Sequence, residues 1–126
     1  MITVTKNFSF EACHHLPHYV GACHNLHGHS YKLSVTVGGN IIKDTNNPKC
    51  GMIIDFKDLK RIVKEVAVDK YDHCNLNDYF PNPTAENMVS VISSDIISRL
   101  PEGVHLVNVK LWETADSYAE YSILEP

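Results

Sequence analysis

The strongest constraint on the fold is a run of alternating residues at 27–38, HGHSYKLSVTVG. Its apolar side chains occupy every second position: Tyr31, Leu33, Val35 and Val37. His27 and His29 have the same parity. Because residues i and i+2 of a β-strand point to one face, the segment predicts a half-buried strand whose apolar face continues into two adjacent imidazoles.

Related patterns along the chain predict three further strands and two helices. The expected strands are 2–12, 27–38, 104–113 and 118–124, and the expected helices are 55–69 and 84–99. Segments 17–26 and 39–50 are rich in turn-forming residues, and a polar connection spans 71–83.

Each predicted helix carries an apolar stripe at helical spacing. The stripes are Leu59, Ile62, Val63 and Val66 in the first helix, and Met88, Val89, Ile92 and Ile96 in the second. Asp55 lies near the start of the first helix, and Thr84 follows Pro83, where it would cap the second helix.

The order of elements, β-β-α-α-β-β, favours an α+β fold in a single domain covering residues 1–126. Strand pairs on either side of a helix pair predict an antiparallel sheet with both helices on one face. Such a sheet leaves unpaired edge strands, and closure into an oligomeric β-barrel would remove them.

Composition and charge exclude several classes of protein. Of the 126 residues, 44% are hydrophobic and 21% are charged, which indicates a folded domain with an ordinary core. The formal net charge of −4 argues against a nucleic-acid partner. No apolar run has the length of a membrane span and residues 1–11 do not resemble a signal peptide, so we expect a cytoplasmic protein with no membrane partner. The four cysteines form no C-x-x-C pair and are expected to be free thiols.

Six of the eight histidines lie within sixteen positions: His14, His15, His18, His24, His27 and His29. His14 has the parity of Phe8 and Phe10, so a hairpin of the first two strands would bring it near His27 and His29. The other three fall on the opposite face or in the loop. Zinc binds neutral imidazole, and a catalytic zinc keeps three protein ligands and an open position. We therefore predict a metal site on these three histidines, and the lack of an obvious fourth ligand favours catalysis over a structural role.

Two further positions have both a chemical and a purely structural interpretation. Cys23 lies on the loop leading to His27, where nearby imidazoles favour a thiolate. It is a base or nucleophile, or else an inert loop thiol. Asp72 can orient the neighbouring His73, or the two form an ordinary polar pair at the end of a helix.

The strand at 104–113 ends in a carboxylate that also has two interpretations. Val107, Val109 and Leu111 are expected to face inward, with Glu113 on the same parity. Glu113 is either the last solvated residue of this face or an anchor that accepts two parallel hydrogen bonds from a flat N–H edge.

Six segments, in order along the chain, resemble one family. They are FSFEACHHL at 8–16, CHNLHGHSY at 23–31, MIIDFKDLK at 52–60, YDHCNLND at 71–78, PTAEN at 83–87 and VKLWET at 109–114. Together they resemble the 6-pyruvoyl-tetrahydropterin synthase and 6-carboxy-tetrahydropterin synthase superfamily over nearly the whole chain. The C-x3-H-G-H motif with an upstream histidine is the most specific part of the resemblance.

The resemblance implies the tunnelling fold, in which trimers close a β-barrel and two trimers stack into a hexamer. It implies a homo-oligomer, trimer or hexamer, with active sites between subunits. It also implies zinc as the cofactor, bound by His14, His27 and His29, in agreement with the parity of these residues.

The same resemblance assigns roles to the remaining residues. It implies that Cys23 abstracts a proton, assisted by the pair Asp72 and His73. It implies that Glu113 anchors the pterin ring and that Thr84 lines the pterin pocket.

The spacing within the motif points to one branch of the family. Three residues between Cys23 and His27 resemble the bacterial 6-carboxy-tetrahydropterin synthases of the queuosine route. The implied reaction is a lyase reaction that converts 7,8-dihydroneopterin triphosphate, with loss of triphosphate and acetaldehyde. The alternative enzyme is a 6-pyruvoyl-tetrahydropterin synthase, and the alternative outside enzymes is a non-catalytic zinc- or pterin-binding module.

Overall fold

The structure, a computed structural model, describes residues 1–123 and is built around one long β-hairpin. Strands β1 (Thr3–His14) and β2 (His27–Gly39) pair antiparallel along their full length, and the register ends with His14 opposite His27. Both strands are longer than the alternation predicted, because the backbone pairing continues past the apolar residues.

Seven elements follow the hairpin, besides a short 3-10 turn described below. They are α1 (Phe56–Val63), a π-helical turn (Lys64–Val68), α2 (Asp69–Tyr71), β3 (Cys74–Asn75), α3 (Ala85–Ile97), β4 (Val104–Thr114) and β5 (Ser117–Ser122). The first three are contiguous, so the predicted helix 55–69 exists and runs on to Tyr71. The predicted strand 118–124 corresponds to β5, and its final position lies outside the described residues.

The core lies between one face of the sheet and the helices, as the parities predicted. The sheet contributes the buried residues Phe10, Tyr31, Leu33, Val35, Val37, Val109 and Leu111. The helices contribute both predicted stripes: Leu59, Ile62, Val63, Val66, Met88, Val89, Ile92 and Ile96. The α+β prediction, with the helices on one face, is therefore confirmed. Within residues 1–123, no helix combines the length and apolarity needed to cross a bilayer.

Both predicted helix caps are present. The side chain of Asp55 accepts a hydrogen bond from the Lys57 N–H at the start of α1. The side chain of Thr84 accepts a hydrogen bond from the Asn87 N–H at the start of α3. Each cap satisfies a backbone donor that the first helical turn leaves without a partner.

The prediction that Val107 faces inward is wrong. Two consecutive residues of β2, Thr36 and Val37, face three residues of β4, so β4 bulges at Val107. A bulge adds one residue to one strand and inverts the parity beyond it. Leu106 is consequently buried, while Val107 is only half-buried.

The segment 71–83 is more than the polar connection that its composition predicted. It contains β3, which pairs parallel to β1, and a short 3-10 turn at Leu76–Asp78. The sheet is therefore mixed, with the order β3-β1-β2-β4-β5, and is not wholly antiparallel as expected. A two-residue strand is too short to show any alternation. Within the described chain the sheet is open, and its closure into a barrel by further copies stays a prediction.

Candidate metal and substrate site

The hairpin brings His14, His27 and His29 together at one end of the sheet. His14 lies directly opposite His27, and Ala12 lies opposite His29. One potential ligand atom from each imidazole lies within 4.8 Å of the others. Nε2 of His14 is 3.1 Å from Nε2 of His27. His14 is fully buried, and the other two histidines are half-buried.

Two backbone carbonyl groups orient these imidazoles. The Pro83 carbonyl oxygen lies 2.9 Å from Nδ1 of His14, and the Asn25 carbonyl oxygen lies 2.7 Å from Nδ1 of His27. A carbonyl oxygen can only accept, so each Nδ1 carries the hydrogen and donates it. In the neutral rings, Nε2 is then an unprotonated acceptor, which is the form that binds a metal.

The donor set fits a divalent cation such as zinc. Two unprotonated nitrogens that face each other at 3.1 Å repel unless a proton or a metal ion lies between them. Desolvation by burial lowers the pKa of His14 below its usual value, against the raising effects of its hydrogen bond to Pro83 and of Glu113. Burial lowers the pKa of His29 in the same way. A proton is therefore disfavoured here, and a metal ion satisfies the lone pairs.

Glu113 lies at the same end of the sheet. Its Oε1 atom is 3.3 Å from Nε2 of His14 and 3.7 Å from Nε2 of His29, and 30% of the side chain is exposed. The bulge at Val107 changes the parity of the β4 residues before it relative to those after it, so Glu113 shares the parity of Val109 and Leu111. A second register shift, between Trp112 and Thr114, falls at Glu113 itself. The sequence analysis found no fourth ligand, whereas the structure brings this carboxylate to the three histidines.

The start of α3 closes the other side of Glu113. A cavity of about 260 Å³ is lined by Glu113 together with Ala85 and Glu86 of the first turn of α3. Thr84, the cap of this helix, follows Pro83, whose carbonyl holds His14. Thr84 is therefore beside the candidate site, and its hydroxyl is engaged in capping.

Asp72 and His73 are in direct contact. Oδ2 of Asp72 lies 2.9 Å from Nδ1 of His73, whose side chain is 79% exposed. Asp72 also accepts a hydrogen bond from the Glu11 N–H at 2.9 Å, and the His73 N–H donates to the Glu11 carbonyl. The hydrogen bond from the Glu11 N–H, and to a smaller extent the one from His73, lowers the pKa of the Asp72 carboxyl below its usual value. His73 has a φ of 60°, so this turn places a non-glycine residue in the left-handed region.

Within one chain, Cys23 and the pair Asp72–His73 are not brought together. Cys23 lies in a 3-10 turn, Ala22–His24, and its half-buried thiol makes no hydrogen bond to any residue between 1 and 123. His73 instead shares a cavity of about 430 Å³ with His29, and Cys23 is not among the residues that line it. That a site using both groups is assembled from two copies of the chain stays a prediction.

Asn77, which the sequence analysis did not single out, holds the end of β1. Its Oδ1 accepts from the His15 N–H at 2.9 Å, and its Nδ2 donates to the His15 carbonyl at 3.0 Å. Asn75 fixes this arrangement by accepting a hydrogen bond from the Asn77 N–H at 3.0 Å. Asn77 thus fixes the backbone of His15, the neighbour of His14, although it lies 62 positions further along the chain. The only sequence signal is a pair of asparagines, which are common in any turn.

An α+β domain that gathers three imidazoles beside a carboxylate-lined cavity is a candidate metal-binding domain. The chain belongs to the 6-pyruvoyl tetrahydropterin synthase family, whose model matches residues 3–123.

Proteins of known name support this assignment. A 6-carboxy-5,6,7,8-tetrahydropterin synthase of Haemophilus influenzae is 34% identical over 96% of this chain and 99% of its own length. A protein of the same name from Synechocystis is 37% identical over 96% of this chain and 93% of its own. A dihydroneopterin monophosphate aldolase of Pyrococcus furiosus is 40% identical over 83% of each chain.

A solved structure supports the fold. The 6-pyruvoyl tetrahydropterin synthase of Caenorhabditis elegans superposes with a TM-score of 0.80 and 27% identity, over 96% of this chain and 94% of that one. The resemblance of the sequence to this family and the expected tunnelling fold are both confirmed.

Substituting Asn77 tests how the end of β1 is held. The change Asn77→Ala leaves both backbone groups of His15 without their partner, so we expect a loss of about 1–3 kcal/mol in the free energy of unfolding. Urea denaturation followed by circular dichroism measures this loss. Asn7→Ala, at an exposed position of the same strand, is the matched control and should unfold like the unmodified protein. Equal midpoints for both variants would contradict the role of Asn77.

Substituting His29 tests the metal site. We expect His29→Ala to lose most of the bound zinc after dialysis, because only two imidazoles remain. Zinc content per chain, measured by plasma mass spectrometry, checks this expectation. His24→Ala removes an exposed histidine of the neighbouring loop and should retain the metal. If the two variants keep the same amount of zinc, the three histidines are not the site.

Proposed function

We propose that the protein is a zinc-dependent 6-carboxy-5,6,7,8-tetrahydropterin synthase of queuosine biosynthesis. It would convert 7,8-dihydroneopterin triphosphate and one water molecule to 6-carboxytetrahydropterin, acetaldehyde and triphosphate. The observation that carries the proposal is the convergence of three acceptor imidazoles and Glu113 at one end of the sheet. The tetrahydropterin synthases among its relatives, which match nearly the full chain, supply the pterin chemistry.

In this proposal, His14, His27 and His29 hold the zinc ion. Zinc supplies Lewis acidity toward the oxygens of the substrate side chain. The Asn25 and Pro83 carbonyl groups keep the rings of His27 and His14 in the metal-binding tautomer.

Glu113 recognises the pterin ring. An ionised carboxylate accepts two parallel hydrogen bonds, and the 2-amino group and ring N–H of a pterin offer two parallel donors. The cavity between Glu113 and the start of α3 supports this placement, and Thr84 directly precedes Ala85, which lines it. The ring edge is then held next to the histidines, which directs the side chain of the substrate toward them.

Cys23 removes a proton from the substrate side chain as a thiolate, and His73 transfers a second proton. Asp72 supports the second role because it is ionised and accepts a hydrogen bond from Nδ1 of His73. The nitrogen Nε2 of His73 is then free to exchange a proton.

The proposed enzyme is a homo-oligomer, a trimer or hexamer, with active sites between subunits. The separation of Cys23 from Asp72–His73 within one chain supports this assembly. So do the two sheet edges, β3 and β5, which further copies could pair. We also propose a cytoplasmic location, which is compatible with the four free cysteines.

A 6-pyruvoyl-tetrahydropterin synthase is the second candidate, because the C. elegans neighbour carries that name. It would eliminate triphosphate without cleaving a carbon–carbon bond. The two candidates use the same metal site and differ only in what becomes of the side chain.

Product analysis separates these candidates. We expect incubation with 7,8-dihydroneopterin triphosphate to yield 6-carboxytetrahydropterin and acetaldehyde, detected by mass spectrometry. A chelator should abolish both products, and added zinc should restore them. A 6-pyruvoyl product without acetaldehyde would favour the second candidate. No conversion of the substrate by the zinc-loaded protein would favour a non-catalytic binding module.

Replacing Cys23 tests the proton transfer. We expect Cys23→Ala to lower turnover by about 10²- to 10⁴-fold, the usual contribution of a general base, while the zinc content stays unchanged. Cys50→Ala removes an exposed thiol outside the site and should keep full turnover. Unchanged turnover of the Cys23 variant would exclude this thiol as the base.

A further inference from the structure

The carboxylate of Glu113 lies against two of the three histidines. Its Oε1 atom is 3.3 Å from Nε2 of His14 and 3.7 Å from Nε2 of His29. Nδ1 of His14 faces the Pro83 carbonyl, so Nε2 is the nitrogen that points toward the carboxylate. A carboxylate oxygen has only lone pairs, and a metal ion between the two atoms would be bound by both.

Nε2 of His14 also lies close to a second imidazole. It is 3.1 Å from Nε2 of His27, whose Nδ1 faces the Asn25 carbonyl. Nε2 of His14 is therefore close both to a second ring nitrogen and to the Glu113 carboxylate.

The spacing of these atoms matches the coordination sphere of zinc. Bonds of about 2.0–2.1 Å to nitrogen and oxygen give a tetrahedron whose edges are about 3.3 Å long. The His14–His27 edge is 3.1 Å and the His14–Glu113 edge is 3.3 Å, while the His29–Glu113 edge is 3.7 Å. Glu113 is therefore close enough to His14 and His29 to fill the corner that a three-histidine site leaves open.

We propose that Glu113 is the fourth metal ligand of the substrate-free protein and that the ligand's ring displaces it. The displacement part rests on the function proposed above, in which Glu113 binds the N–H edge of a pterin. One carboxylate cannot fully serve both the metal and two ring donors. Binding of the ring would therefore draw Glu113 away and open the metal for the substrate side chain.

The alternative donor in the neighbourhood does not fill this corner. The thiol of Cys23 makes no hydrogen bond to any residue between 1 and 123. Glu86 borders the same cavity as Glu113 but forms no ion pair with the histidines within the described residues, whereas Glu113 lies close to two of them. Glu86 thus offers a matched control, a carboxylate a short distance away on the first turn of α3.

The first experiment measures zinc affinity by competition with a chromophoric chelator, with no substrate present. We expect E113Q and E113A to bind zinc about 10- to 100-fold more weakly than the unmodified protein, as is common when the support of a metal site is removed. E86Q should bind zinc with unchanged affinity. Unchanged affinity in both Glu113 variants would overturn the proposal, and so would an equal loss in E86Q.

The second experiment uses the unmodified protein and so does not depend on how a variant folds. The protein is loaded with Co²⁺, whose visible absorption reports the number and type of its ligands, and is titrated with unsubstituted pterin. We expect the bands to shift and saturate as Glu113 leaves the metal. In E113A the free protein should already differ from the unmodified one, and pterin should leave its spectrum unchanged. Identical spectra of the two free proteins would overturn the ligand assignment. A pterin-insensitive spectrum in the unmodified protein, or an equal shift in E113A, would overturn the displacement.

The two experiments separate this proposal from the proposed function. The affinity measurement involves neither pterin nor turnover. A weakened zinc site in E113Q, combined with no conversion of dihydroneopterin triphosphate, would support the ligand assignment and reject the synthase. Conversion of that substrate by the unmodified protein, combined with unchanged zinc affinity in the Glu113 variants, would support the synthase and reject the ligand assignment.

Discussion

The pairing of β1 with β2 is the interaction on which the rest of the structure depends. Its register sets His14 opposite His27 and Ala12 opposite His29. A slip of one residue would move the side chains of one strand to the opposite face and separate the imidazoles. Burial of the core favours this register, because the same slip would expose Tyr31 and Leu33, which are now buried. The packing that stabilises the core therefore also fixes the relative positions of the three imidazoles.

The edge of β1 that pairs with β3 holds the acid–histidine pair, Asp72 and His73. Asp72, His73 and Asn77 form hydrogen bonds to the backbone of Glu11 and His15, on either side of the short pairing with β3. The acid–histidine pair is therefore fixed to the strand that also bears His14. The two groups are held by one strand, although the chain between them runs through β2 and the helical segment from Phe56 to Tyr71.

Local patterns predicted the features that depend on periodicity. The alternation at 27–38 placed Tyr31 and Leu33 in the core and His27 and His29 in line with them, and the structure agrees. Features that depend on contacts between distant segments were not predictable in this way. The bulge at Val107 leaves no mark in the pattern of apolar residues, and the hydrogen bonds of Asn77 join residues that are 62 positions apart. The resemblance to a known family supplied roles for Cys23 and Thr84 that no spacing could have given.

Main-chain oxygens, and not side chains, orient the imidazoles of His14 and His27. Replacing Asn25 or Pro83 by another residue would leave each carbonyl group in the chain, so side-chain substitution alone would not remove either hydrogen bond. What these two positions contribute to the candidate metal site is the route of the polypeptide, which places each carbonyl oxygen against an imidazole. The side chains of Asn25 and Pro83 act on the site only through the backbone conformation that they favour.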